Sequence, residues 1–221
     1  MAKIISFVTQ KGGSGKTTLL MLTASAIHNR TNQKVLVIDS DPQHSVKKVY
    51  AQEDDRKASY DVFAFNWKQP KPEVNFQKTI KLAEAKYDII LMDVPGRLDG
   101  SEVYFSVLIS DILIVPIIAS ALDITATMEF LNYLPELKAE KERQGYSLEV
   151  YGVVNKRDKS KEHKHLKRLV GLGGLNMFYS PISNLVRYKR RISTINDIVN
   201  PKKKKDEFNM YFDEFRTKCE I

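Results

Sequence analysis

The stretch TQKGGSGKTT, residues 9–18, decides how the rest of the chain is read. It follows KIISFV (3–8), a short apolar run rich in β-branched residues that predicts a strand. It runs into Lys16–His28, where Leu19, Leu22, Thr23 and Ala26 fall at helical spacing. Strand, glycine-rich turn and helix, in that order, are the setting of a phosphate-binding loop. The general loop pattern wants a glycine where Gln10 stands and states no preference where Lys11 stands. The remaining chemistry is intact. Gly12, Gly13 and Gly15 allow turns closed to residues with a Cβ. Several N–H groups, those of Ser14 and Thr18 included, can then aim at one anion, and the helix N-terminus adds its dipole. Lys16 can reach the outer phosphates, and the Thr17 hydroxyl can ligate Mg2+ alongside phosphate oxygens and water.

Further along, apolar strands and helices alternate. KVLVID (34–39), YDIILMD (87–93), ILIVPII (112–118) and LEVYGVVN (148–155) read as buried strands, with YDVFAF (60–65) and MFYSPI (177–182) as shorter ones. Helices are expected over 43–58, 74–86 and 123–141. Continuous apolar strands separated by helices predict an α/β fold, a doubly wound, mostly parallel sheet flanked by helices. Neither an internal repeat nor a long linker divides the sequence, so residues 1–221 are expected to form a single domain.

In such a sheet, ligands sit outside the carboxyl ends of the strands. VIDSDPQ carries Asp39 and Asp41 there, and IILMDVPG carries Asp93. An acid at an apolar strand end also serves as a helix cap or turn residue. Three of them in chain order behind a phosphate loop point to the chemistry of a nucleotide and its metal.

KGGSGKTT resembles the deviant Walker A loop, KGGxGKT[ST], of the ParA/MinD family of P-loop ATPases. The resemblance extends to DSDPQ as its switch I motif and to Asp93 as its Walker B aspartate. It implies that Lys11 reaches across an ATP-dependent homodimer to the nucleotide of the partner subunit, where a cation stabilises charge at the γ-phosphate. It further implies that Lys11, Lys16 and Asp41 are catalytic, with Asp41 orienting the attacking water, and that Asp39 and Asp93 hold Mg2+ through water beside Thr17. Asn155, at the end of VVNKRD, and the PISN turn with Pro181 and Ser183 match the positions that contact adenine. ATP and Mg2+ are the implied ligands.

The net charge of +8 is unevenly spread. Residues 156–205 hold 15 Lys/Arg against 3 Asp/Glu, a balance of +12, which leaves −4 for the rest. HKHLKR (163–168), RYKRR (187–191) and KKKK (202–205) supply most of it. Such clusters bind phosphate backbones without reading sequence, and they also serve as solvated faces. In the partition branch of the family the ATP dimer binds DNA non-specifically through this C-terminal part. That resemblance makes Arg187, Lys189, Arg190 and Arg191 the first candidates for DNA contact, followed by Lys202, Lys203, Lys204 and Lys205.

The single cysteine, Cys219, excludes an internal disulfide framework and a Cys-ligated cluster supplied by one subunit. That argues against nitrogenase-reductase-type and arsenite-pump relatives, and for a reducing cytoplasm. No apolar run reaches about 18 residues, and the N-terminus lacks a signal-peptide cleavage site. Phe208, Tyr211, Phe212 and Phe215 form one helical stripe, read either as a closing helix docked on the core or as a membrane-surface anchor. Asp206, Glu207, Asp213 and Glu214 argue against lipid, so no membrane is expected. With the loop starting at residue 9, no N-terminal operator-binding domain is expected either.

The resemblance therefore implies a small, nucleoid-associated partition ATPase. Its hydrolysis would be stimulated by a centromere-binding, ParB-like adaptor. The alternatives are a MinD-like membrane-associated positioner and a ParA-like protein of conjugation or regulation.

Overall fold

The apolar runs of the sequence become the interior of one sheet. The structure, a computed structural model, describes residues 1–10, 12–51, 60–96, 100–157, 175–184 and 206–221; the side chains of residues 121–123 are outside that description. The strands are β1 (Lys3–Phe7), β2 (Val35–Asp39), β3 (Asp61–Ala64), β4 (Ile89–Asp93), β5 (Ile112–Ile117), β6 (Glu149–Val154) and β7 (Asn176–Met177). The helices are α1 (Lys16–Thr31), α2 (Ser45–Tyr50), α3 (Pro72–Glu84), α4 (Ser101–Leu108), α5 (Ala121–Arg143) and α6 (Glu207–Cys219). The strands lie in the order β3-β2-β4-β1-β5-β6-β7, and every pairing is parallel.

Each central strand is apolar on both sides because each feeds two cores. Ile5, Phe7, Ile89 and Leu91 point into a core shared with α1 and α6, while Ile4, Ile90 and Met92 point into one shared with α3, α4 and α5. This period of two, buried on both faces, is what a helix-covered parallel sheet requires.

The aromatic stripe of α6 is docked on the core. Phe208, Tyr211, Phe212 and Phe215 are all fully buried, each worth roughly 1.5–3 kcal/mol of apolar burial. The Tyr211 hydroxyl lies 3.1 Å from Thr23 Oγ1, and Arg30 donates to Asn209 Oδ1 at 2.7 Å. Helix α1 is thus enclosed by the sheet on one side and α6 on the other, which explains why Leu19 through Ile27 are buried without a break.

Two local readings change, and one helix is new. The helix expected over 43–58 is described as α2, Ser45–Tyr50; residues 52–59 lie outside the description. Helix α4 is two turns long, too short for a periodicity to stand out in the sequence. The strand expected over 177–182 stops at Met177, because the Glu214 carboxylate takes the amides of Tyr179 and Ser180 at 2.7 and 2.9 Å. Pro181 then has no N–H to give. Contact with β6 returns when the Ile182 amide donates to the Val154 carbonyl at 2.8 Å, and an isolated bridge between Arg157 and Ser183 follows beyond the strand end. Among the described residues no helix is long and apolar enough to cross a membrane.

Candidate nucleotide site

The chain leaves β1 towards β2 on one side of the sheet and leaves β4 towards β5 on the other. A crevice opens between β1 and β4 at their carboxyl ends, where Phe7 is the register partner of Asp93. The glycine-rich stretch crosses it. Gly13 and Gly15 adopt φ of +83° and +84°, and Gly15 caps α1 in that left-handed conformation. No side chain caps this helix start and no acid occupies its first turn, so its N–H groups and positive dipole end stay available to an anion. A cavity of about 410 Å3 lies in front, lined by Gly12 to Thr18 and by Asp41, Gln43, Pro95 and Gly96.

Lys16 and Thr17 point back into the sheet. The Lys16 ammonium lies against Asp93 Oδ1, and the Thr17 hydroxyl donates to Asp93 Oδ2 at 2.8 Å. Asp93 is itself the register partner of Asp39 on β2, and both residues are buried. Asp39 Oδ2 accepts the Lys47 amide at 3.0 Å, while its Oδ1 is buried without a hydrogen-bond partner. Burial pushes the Asp39 carboxyl above its ordinary range; the Lys47 amide opposes this and the Asp93 charge adds to it. Burial likewise pushes Asp93 up, against the pull of Lys16 and Thr17. Asp41 is different. It is partly exposed, it lines the cavity, and its Oδ1 accepts the Gln43 amide at 2.9 Å.

These groups suit a hard cation. Asp39 offers an unpartnered buried carboxylate oxygen, and Thr17 and Asp93 offer two more oxygen donors. Among the described residues no cluster of three His, Cys, Asp or Glu side chains could hold a metal unaided. A Mg2+ ion that keeps its waters and borrows phosphate oxygens matches this sparse set.

Other candidates fall elsewhere. Asn155 abuts the loop from behind, its Nδ2 donating to the Ser14 carbonyl at 2.7 Å. Pro181 and Ser183 do not line the cavity, and Ser183 is held by Glu207 through its amide and its hydroxyl. Lys11 lies outside the described residues, as do Arg187, Lys189, Arg190, Arg191 and Lys202 to Lys205. A further cation at the loop, Lys156, donates to the Gly13 carbonyl. Its place directly after Asn155 is the only trace of this in the sequence.

A family model described as the CobQ/CobB/MinD/ParA nucleotide binding domain matches residues 5–201. The chain is 26% identical over 136 residues to the maintenance of carboxysome distribution protein A of Halothiobacillus neapolitanus, a match that spans 58% of this chain and 60% of that protein. In fold it is similar to a plasmid partition protein of Borrelia burgdorferi bound to AMPPNP, with a TM-score of 0.72 and 19% identity over 99% of this chain and all of that one. An ATP complex of a McdA variant from Cyanothece superposes with a TM-score of 0.73 and 16% identity over all of this chain and 97% of that one.

Proposed function

Since this chain belongs to the CobQ/CobB/MinD/ParA nucleotide-binding domain family, we propose that it is a Mg2+-dependent ATPase that dimerises on ATP, binds DNA non-specifically in that state and positions a cargo along it. The observation that carries the reading is the cavity at the carboxyl ends of β1, β2 and β4. There the glycine-rich loop, the Lys16–Asp93–Thr17 cluster and Asp41 converge.

Each side chain has a part that its chemistry supports. The loop amides and Lys16 bind the phosphates. Thr17, Asp39 and Asp93 hold Mg2+, whose charge, when bound, offsets that of the phosphate oxygens. Asp41, partly exposed at the cavity wall, orients the attacking water. Lys11 completes the pocket of the partner subunit, so that the ATP complex dimerises and the ADP complex does not. Pro181 and Ser183 are assigned to the adenine side, while Asn155, the third residue expected there, holds the Ser14 carbonyl of the loop.

The 15 Lys/Arg of residues 156–205 support DNA as the polyanion. The burial of the α6 stripe leaves no apolar face on that helix for lipid and speaks against the membrane reading. The reading takes the chain as one P-loop domain acting at the nucleoid in the cytoplasm, its hydrolysis stimulated by a ParB-like adaptor. The relatives named for plasmid partition and carboxysome distribution support a cargo-positioning role.

DNA co-sedimentation with ATP, with ADP and without nucleotide tests the proposal. Retention only with ATP is expected; equal retention in all three arms would defeat the switch.

A further inference from the structure

The end of β6 carries two donors aimed at the same loop. Asn155 is 5% exposed and gives its amide nitrogen to the Ser14 carbonyl at 2.7 Å. The next residue, Lys156, gives its ammonium to the Gly13 carbonyl. Two consecutive side chains therefore engage two consecutive carbonyls of the phosphate loop. The approach is close: a Cβ at Gly15 would stand 2.6 Å from Asn155 Nδ2 and 3.3 Å from Lys156 Cε.

Two further facts show that this arrangement is built. Lys156 sits at φ +51°, in the left-handed region that residues with a Cβ enter at a cost. That conformation brings a side chain at a strand end back onto the loop. The next residue is anchored on the other side: Arg157 forms an ion pair with Glu207 at the start of α6 and donates to Ser183 Oγ at 3.2 Å. The two donors thus project from a fixed base.

In a loop that turns successive N–H groups towards one anion, the carbonyls must face the other way. A donor that holds the carbonyls outward holds the amides inward. We propose that Lys156, together with Asn155, is a positioning residue of the phosphate loop, clamping the Gly13 and Ser14 carbonyls so that the loop amides are aligned before nucleotide arrives. This rests on the nucleotide-binding reading above. Such a clamp acts on the phosphates that ATP and ADP share. Its loss weakens both ligands equally and raises KM while kcat is held, the mark of binding lost uniformly from ground and transition states. Lys11, in its proposed role, discriminates between the two nucleotides instead.

The test is titration of the full chain with fluorescent ATP and ADP analogues, using wild type, Lys156→Met and Lys156→Gly. Both variants are expected to bind either nucleotide about 10- to 100-fold more weakly, the loss of one charged hydrogen bond. Without nucleotide, Lys156→Met should melt with wild type, and Lys156→Gly should melt no lower, because glycine accepts a positive φ freely. A purely structural role for Lys156 would leave the glycine variant with normal affinity, and that result overturns the clamp. If Lys156→Met does not fold, the glycine variant decides alone. Should wild type bind neither nucleotide, the nucleotide-binding reading itself falls and the clamp with it; wild-type binding beside unaltered variants removes the clamp only.

Discussion

Lys16, in the first turn of α1, and Asp93, at the end of β4, form an ion pair whose side chains are 8% and 1% exposed. A buried pair of this kind costs more to break than it contributes to stability, since removing one partner strands the other charge in the interior.

Lys16→Ala is therefore expected to lose nucleotide binding and also to cost roughly 3–5 kcal/mol of stability measured without ligand. Lys16→Ala with Asp93→Ala should cost less than the single change, because no charge is left stranded. Urea denaturation of these two variants and of Asp93→Ala checks this. A double variant as unstable as the sum of its parts would mean that the pair is not coupled.

Asp39 sets a pH dependence. Burial raises its folded-state pKa above the ordinary 3.8, helped by the Asp93 charge and opposed by the Lys47 amide. A raised value means that the native chain holds the proton more tightly than the unfolded one. The contribution of this group is full below 3.8 and is lost as pH rises through the raised value. Asp39→Asn removes the buried charge and can still accept from Lys47. It should raise the stability near neutrality by on the order of 1 kcal/mol and should flatten the stability profile above pH 3.8, where the wild-type contribution is lost. Parallel melting profiles for variant and wild type would show that Asp39 is not the titrating group. The same variant should bind Mg2+ with nucleotide more weakly.

Lys11→Ala is expected to bind ATP monomerically. Light scattering with ATP separates the cases: a dimer of normal mass removes the in-trans role.

Asp41→Ala should bind ATP with near-native affinity yet turn it over at least about 100-fold more slowly, on the scale of a lost water-positioning or proton-transfer group. Single-turnover phosphate release reads this directly, and rapid release by the variant takes Asp41 out of the mechanism.

Changing Arg187, Lys189, Arg190 and Arg191 together to Ala should weaken DNA binding by a similar factor on every sequence. It should lower the slope of log affinity against log salt by about 4 units. An unchanged slope would move the DNA face elsewhere.

Much of this molecule is legible in its sequence, because the relevant signals are local. The continuous apolar runs at 34–39 and 87–93 are short and rich in β-branched or aliphatic residues, the pattern of strands buried on both faces, which places their terminal acids, Asp39 and Asp93, at the carboxyl edge. Where the reading missed, a distant group had taken over. Glu214 of α6 captures the amides of Tyr179 and Ser180 and ends β7 early.

The sequence by itself determined the strand–loop–helix unit, the parallel sheet and the residues that gather at its carboxyl edge, since turn glycines, buried runs and strand-end acids act within a few residues of one another. Only the tertiary structure decided that Lys16 is paired with Asp93, that Asp39 keeps a buried oxygen unpartnered, and that Asn155 and Lys156 close on the loop from behind. Those facts depend on which strands lie side by side. Strand order is set by the packing of helices over the whole sheet, a sum over distant contacts that no short stretch encodes.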